Sequence, residues 1–504
     1  MWNRRKLLTT AGLAAAGLAA GPPRLASAAP PKWGEYPTSA VGSMVPPELQ
    51  AKKVLEIFMV GGVSPWETFY SVGDPAFGQD AGLFWWTFQE GPDSVAAWHQ
   101  KCGNTGPLLQ PWLQDKTGKL ISLGPHLAGL RERKDIIDRT RVLITSHGLT
   151  PHDAAIPYTL TGAMLGSPAM AGLGAAVAHH QLATTVGPLA EPGAYVVAPP
   201  VQPLPSQPAF AIGGHPSAAR PLAIYVSDNT AFSTSLKRES MGVHAAASDA
   251  LLQNYIQSYK ARLVHPGSVT TVRAPAYTDL AHAAAMLGGA KNYADVFAPK
   301  FFTAVADSSC AFTAPLSPTK MVLDLAVHLL QRPGATCRHV TAIEIGFGPN
   351  PMHYDTHWDH VAGSAVMHNH FWHHLSSLIN KPGEANPAKI NLNDTMIVIN
   401  TEFGRTPGTQ FKDGQNTGRN HWPQAYTTAL IGGPIQKAQA GLRGAIDIYG
   451  QPIDAITPTQ LRAATLAAMG IYPFEAENFA VGMVPGGNAV AASKWLRDNL
   501  LGLS

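Results

Sequence analysis

Short apolar runs alternate with amphipathic stretches at both ends of the chain, and a different texture fills the middle. Lys53 to Val60 (KVLEIFMV) is an apolar run closed by Gly61-Gly62, which predicts a buried strand followed by a tight loop. Pro125 to Arg133 reads as a helix, Arg141 to Thr145 (RVLIT) as a second strand, and Ser146 to Pro151 as a loop. Asp153 to Leu160 opens another helix. Toward the C-terminus the alternation resumes, with a helix at Lys320 to Leu330 and a strand at Val340 to Ile345. A helix near Val361 to Ile379 and a strand at Thr395 to Asn400 come next. Apolar strands separated by helices predict an α/β fold with a mostly parallel sheet covered on both faces. In such sheets ligands bind beyond the carboxyl ends of the strands, where the loops converge.

The middle, about residues 164–318, is rich in Ala, Pro and Gly. It reads as an insertion or cap on one α/β domain spanning 29–504, with helical stretches at Ala245 to Leu263 and Tyr277 to Phe297. The first 28 residues read as an export signal. Arg4-Arg5-Lys6 precedes the apolar stretch Leu7 to Ala20, and Ala26-Ser27-Ala28 offers a cleavage site. Asn3-Arg4-Arg5-Lys6-Leu7-Leu8 is similar to a twin-arginine signal, an address read by the twin-arginine export machinery. The apolar run is shorter than the roughly 20 residues that span a bilayer, so no retained membrane anchor is expected. A soluble protein beginning near Ala29, periplasmic or secreted, is the expectation.

Composition narrows the classes. Of the 504 residues 45% are hydrophobic and only 14% charged, which excludes a disordered or coiled-coil chain. The net charge of +3, without long runs of one sign, gives nucleic-acid binding no electrostatic support. Only Cys102, Cys310 and Cys337 are present, so a disulfide leaves at least one thiol. There is no GxSxG elbow, Walker loop, HExxH or complete GxGxxG.

Polar residues follow three of the strands. Glu67 lies in the loop after the first, Asp355 and His357 in Tyr354-Asp355-Thr356-His357, Glu402 directly after Thr395–Asn400, and His421 soon after it. Three carboxylates and two imidazoles in one pocket would repel unless a divalent cation neutralised them. Mixed oxygen and nitrogen donors suit zinc or manganese, as one or two ions, which could polarise an ester oxygen and acidify water. The bland alternatives are a helix cap or an Arg405 partner for Glu402, and a packed histidine at His421. Seven of the 20 histidines (353, 357, 360, 368, 370, 373 and 374) fall within 22 positions. His370, His373 and His374 share a helical face, either as a solvated or site-lining surface or as an accessory metal or proton-relay site.

The stretches GGVSPWETF, YDTHWD, INTEFGRTP and GRNHW, in that order, resemble the family labelled domain of unknown function fifteen-oh-one, which is similar to a branch of the alkaline phosphatase and sulfatase superfamily. The similarity is strongest over Val340 to Met469, with weaker matches at Lys53 to Phe69 and Leu143 to Gly162. It implies a three-layer α/β/α, alkaline-phosphatase-like core with metals at the carboxyl end of the sheet. The resemblance puts Glu67 at the first-strand acidic ligand, Asp355, His357 and His421 near one metal, and Glu402 at the bridging carboxylate of a second. Where the superfamily places a hydroxyl or thiol nucleophile, this chain has His152, as nucleophile, ligand or general base, with Thr150 as a neighbouring nucleophile. Phe403 stands where phosphatases have a histidine ligand, Pro65 replaces a common His, and Asn420 replaces the Asp of the usual GRDHW.

These residues support two functional expectations. One is an exported metal-dependent hydrolase of phosphate or sulfate esters, with Arg405 or Arg419 steadying a small anionic substrate. The other is a non-catalytic exported metal-binding or cell-surface assembly protein on the same scaffold.

Overall fold

The computed structural model describes residues 32–74, 77, 94–167, 171–185, 191–199, 211, 220–226, 296–347, 354–408, 410–412, 415–475 and 478–504, with a few positions between 250 and 258. The expected leader at 1–28, most of the helices expected at 245–263 and 277–297, and His353 lie outside the described residues. The chain divides into Met1–Lys32, of which only Lys32 is described, and Trp33–Ser504, which holds the sheet and all its helices.

Eight strands form one sheet. In chain order they are β1 (Lys53–Met59), β2 (Thr140–Thr145), β3 (Ala194–Ala198), β4 (Leu222–Tyr225), β5 (His339–Glu344), β6 (Thr395–Thr401), β7 (Tyr426–Gly432) and β8 (Gly441–Arg443). Their spatial order is β8-β2-β7-β6-β1-β5-β3-β4. Only the pairings of β7, with β6 and with β2, are antiparallel; the rest of the sheet is parallel. β1 and β6 are buried at nearly every position because both of their faces are covered. Among the helices are α1 (Val95–Lys101), α2 (His152–Thr161), α3 (Leu173–Thr184), α4 (Pro318–Gln331), α5 (His360–Ser377) and α6 (Pro458–Ala468).

Alternate β1 residues serve the two faces. Leu55, Ile57 and Met59 join a core with Leu325 and Leu329 of α4 and Phe371 and Trp372 of α5. Val54 joins the opposite core with Val177 of α3 and Leu461 of α6. Full burial of each such side chain contributes about 1.5–3 kcal/mol.

Local chemistry sets the helix ends. Ser317 caps α4 by accepting from Lys320 N, with Pro318 in the first turn. Thr457 and Gln460 form a capping box on α6, and Asp359 caps α5. α2 starts after Pro151 with no side-chain cap.

Two expectations change. The helix expected over 125–133 is a short 3-10 turn, Pro125–Leu127, followed by one helical turn, Ala128–Arg131. Arg133 leaves helical geometry, and its guanidinium donates to Ser376 O at 2.6 Å in the last turn of α5 and to Asn380 O at 3.1 Å just beyond it. The region read as an insertion supplies β3 and β4 to the central sheet and α3 to one of its faces. Pro- and Gly-rich flanks disguise Ala194–Ala198 (AYVVA), yet all five residues are buried. Cys102 and Cys310 form a disulfide that ties the end of α1 to the hairpin of Asp307–Ser309 and Phe312–Ala314. Cys337 is a buried thiol whose pKa burial pushes up to about 12. No described helix is long and apolar enough to cross a membrane.

Candidate metal centre

Sheet register brings the polar loops together. Met59 at the end of β1 pairs with Glu344 of β5 and Thr401 of β6, so three loops leave the sheet at one level. Thr145 at the end of β2 pairs with Tyr426 at the start of β7. The β2 loop, with Thr150 and His152, and the segment holding His421 therefore meet at the same edge. Gly61 and Gly62 adopt φ of +112° and +100°, which side-chain-bearing residues avoid. A Cβ on Gly62 would also strike the Phe403 ring. The turn puts Gly61 N 2.7 Å from Glu402 Oε1 and Gly61 O under the Arg405 guanidinium.

Asp355 lies at the middle of a group of imidazoles. Its Oδ1 is 3.1 Å from His357 Nε2 and 3.6 Å from His421 Nε2, and its Oδ2 is 3.4 Å from His152 Nε2. His357 Nε2 and His421 Nε2 are themselves 2.9 Å apart. Donor atoms bound to zinc at about 2.0–2.1 Å lie roughly 3.3 Å from one another. The four separations bracket that value. His152, Asp355 and His421 each offer a donor atom within 4.8 Å of the others, the one such group among the described residues.

The far sides of the rings are held as metal-binding imidazoles require. His152 Nδ1 is 2.8 Å from Glu402 Oε1, and His421 Nδ1 is 2.7 Å from Thr150 O. Each contact is satisfied by an Nδ1–H, which turns Nε2 toward Asp355. His152 Nε2 is buried and makes no well-aligned hydrogen bond. Phe403 packs beneath the rings, with centroids 4.3 Å from His421 and 4.9 Å from His152. Phe403 is thus the floor of the histidine group.

Electrostatics follow the geometry. Burial alone would lower His152, but Asp355 and Glu402 outweigh it and push its pKa up to about 9. Burial would raise Asp355, yet His152, His421 and Arg405 hold it far below the ordinary carboxylate range. The side chains of His152, Asp355, His357 and His421 are 17–27% exposed, so solutes can reach the group from one side.

The five carboxylates and imidazoles expected together separate into three settings. Asp355, His357 and His421 converge. Glu402 stands directly behind His152, its Oε1 shared by Gly61 N and His152 and its Oε2 accepting from Thr401 Oγ1 at 3.3 Å. Glu67 lies in a closed pocket of its own, where it accepts from Arg419 Nη2 at 2.6 Å and from Ser64 Oγ. His360 Nε2 is 3.4 Å from Oε2, the oxygen that also accepts from Ser64. Burial would raise Glu67, but Arg419 and His360 hold it well below its usual value.

Both arginines are internal. Arg405 donates to Asp355, Gly61 O, Gly62 O and Arg419 O, and Arg419 to Glu67, Ser64 Oγ and Thr406 O. Neither has exposed surface. Thr150 meets the group through its carbonyl.

The histidines of α5 disperse. His370 meets Ser317 Oγ at 2.8 Å and stacks on Phe347, His374 meets Asp324 at 2.8 Å, and His373 is exposed. They do not form one site. His368 instead stacks on His126, centroids 5.4 Å apart, beside the Glu67 pocket.

Residues 338–479 match the family model of a protein of unknown function (DUF1501). That stretch carries Asp355, His357, Glu402 and His421 but not His152 or Glu67. No curated protein matches the chain.

His147 was missed by sequence reasoning. Its Nε2 lies 2.6 Å from Glu402 O and its Nδ1 accepts from Leu149 N, so it fixes the backbone at Glu402. The available signal was its place two residues beyond a strand end, the same rule that found the others.

Proposed function

We propose that this chain is an exported metal-dependent hydrolase of phosphate or sulfate esters, with His152, Asp355 and His421 as its metal-holding set and His357 hydrogen-bonded beside them. The observation that carries the reading is the convergence of His152, Asp355 and His421, whose donor atoms lie within 4.8 Å of one another. A zinc-class ion bound there would supply Lewis acidity toward an ester oxygen and acidify water.

The chain's own groups prepare that chemistry. Glu402 and the Thr150 carbonyl hold the Nδ1 protons of His152 and His421 and aim both Nε2 atoms inward, where a bound cation would displace the second proton that His152 carries at neutral pH. Arg405 fixes the Asp355 carboxylate and keeps it ionised. Phe403 excludes water from beneath the rings. The uncapped first turn of α2, beginning at His152, turns main-chain N–H groups and the positive helix end toward an anionic substrate. With His152 engaged among the donors, solvent water is the attacking group. The twin-arginine-like leader and the Cys102–Cys310 disulfide support a location in an oxidising compartment outside the cytoplasm.

Metal content and turnover on chromogenic phosphate and sulfate esters test the reading together. Stoichiometric transition metal, and hydrolysis that disappears with the metal in His421→Ala, is the expected result. Protein purified under native conditions without divalent metal would reject it. One observation favours a second reading, a metal-binding protein without catalysis: neither Arg405 nor Arg419 has a guanidinium facing outward to hold an anion. Bound metal with no turnover across the panel selects that reading.

A further inference from the structure

Behind the metal-holding group, on the α5 side of the sheet, lies a cavity of about 10 Å³. Met59, Phe69 and Ile399 supply apolar wall, and Trp372, Thr427, Thr401 and Thr68 supply polar groups. All seven residues are buried. Among these, Trp372 Nε1 and Thr427 Oγ1 have no hydrogen-bond partner in the protein. One is an obligatory donor and the other a hydroxyl that donates and accepts.

Two buried orphans beside one small void are costly if the void is dry, because each has lost water and gained nothing. A void of this size holds one water, and polar lining with two to four partners is what retains it. Purely apolar cavities stay empty; this one sets polar groups into a mostly apolar wall.

We infer that a single ordered water occupies this cavity, accepting from Trp372 Nε1–H and bonded to Thr427 Oγ1, with Thr401 Oγ1 and Thr68 Oγ1 as further partners. The Thr68 hydroxyl donates to Ser64 O at 2.6 Å and the Thr401 hydroxyl to Glu402 Oε2 at 3.3 Å. Their lone pairs remain for the hydrogens of the water. The water would join α5 to β6 and β7 beside Thr401, whose hydroxyl also reaches Glu402 Oε2. Its presence does not depend on the metal or on hydrolysis.

The nearly isosteric change Thr427→Val decides the matter by sign. In a wet cavity it removes one of the partners of the water and lowers the Tm of the mature protein by about 1–3 °C. In a dry cavity it replaces an unsatisfied hydroxyl by a methyl group and leaves Tm unchanged or raises it. A crystal structure near 1.5 Å resolution supplies the second measurement. The expected result is a water peak within hydrogen-bond distance of Trp372 Nε1 in the wild type and in Thr427→Ser, weakened or lost in Thr427→Val. An empty cavity in the wild type, or a Tm that holds or rises in Thr427→Val, overturns the inference.

Discussion

Two carboxylates at the carboxyl edge of the sheet, Glu67 and Asp355, each face a fully buried arginine and histidines, yet their settings differ. Glu67 is itself fully buried, and its oxygens are filled by Arg419, Ser64 and His360. Asp355 has one arginine partner, keeps 27% of its side chain exposed, and is ringed by three imidazole nitrogens at 3.1–3.6 Å. The first is a closed ion pair whose geometry is complete without a ligand. The second gathers three imidazole nitrogens around one partly exposed carboxylate, a donor set that a cation could take in place of the imidazole protons. A third carboxylate, Glu344 at the end of β5, has no arginine partner among the described residues. It accepts from Thr319 Oγ1 and Gly346 N, both at 2.7 Å. Burial dominates there and pushes its pKa up to about 7. What faces a buried acid, rather than burial alone, decides whether it is a structural ion, a ligand or a proton carrier.

The largest effect should come from breaking the closed pair. Glu67→Ala leaves Arg419 buried without its counter-ion and should cost about 3–5 kcal/mol in urea unfolding. Its metal content should stay at the wild-type level. Loss of metal in a folded Glu67→Ala protein would move Glu67 into the metal-holding set.

Chelation probes the open member of the comparison. Removing a metal present at about 1,000 times its Kd lowers stability by about 4 kcal/mol through mass action. The Tm of Asp355→Asn should no longer respond to chelator. A wild-type Tm indifferent to chelator would reduce the imidazole group to a polar cluster.

Glu344 sharpens the contrast through pH. Its folded pKa of about 7 lies above the ordinary 4.5, so the folded state holds this proton more tightly than the unfolded chain does. The stabilisation is fully present below about pH 4.5 and is lost as pH rises through 7. The raised pKa corresponds to roughly 3 kcal/mol across that window. Glu344→Gln should flatten this part of the stability profile, and an unchanged slope would refute the assignment.

The smallest effect belongs to support of a ligand. Glu402→Gln keeps the shape but weakens the hold on the Nδ1 proton of His152. Metal affinity, read by competition with a chromophoric chelator, should fall about 10–100-fold. Complete loss of metal would instead make Glu402 a direct ligand.

Much of the site's location was legible and little of its wiring. KVLEIFMV, RVLIT and the run from Thr395 announced buried strands, and the strand-end rule put Glu67, Asp355, Glu402 and His421 at one edge of the sheet, though Glu67 there closes a separate pocket with Arg419. Which arginine meets which acid was not legible. Arg405 stands three residues from Glu402 but crosses to Asp355, and Arg419 crosses to Glu67. His152 was singled out by the family resemblance, as nucleophile, ligand or general base, and its setting beside Asp355 and Glu402 is created only by other loops. β3 and β4 were hidden in a Pro- and Gly-rich stretch, because a five- and a four-residue strand carry too few positions for a pattern to rise above their flanks.

Local sequence determined where the strands lie, how α4, α5 and α6 are capped, and that polar residues follow the strand ends, since these depend on neighbours within a few positions. The tertiary structure alone decided which acids became closed ion pairs and which stayed open among imidazoles. Partners 50 residues apart (Asp355 and Arg405) and 352 apart (Glu67 and Arg419) meet only after the sheet has set the register of its loops. Charge pairing over those separations is a property of the assembled edge, where burial removes the competing water and leaves each carboxylate to the donor that geometry places nearest.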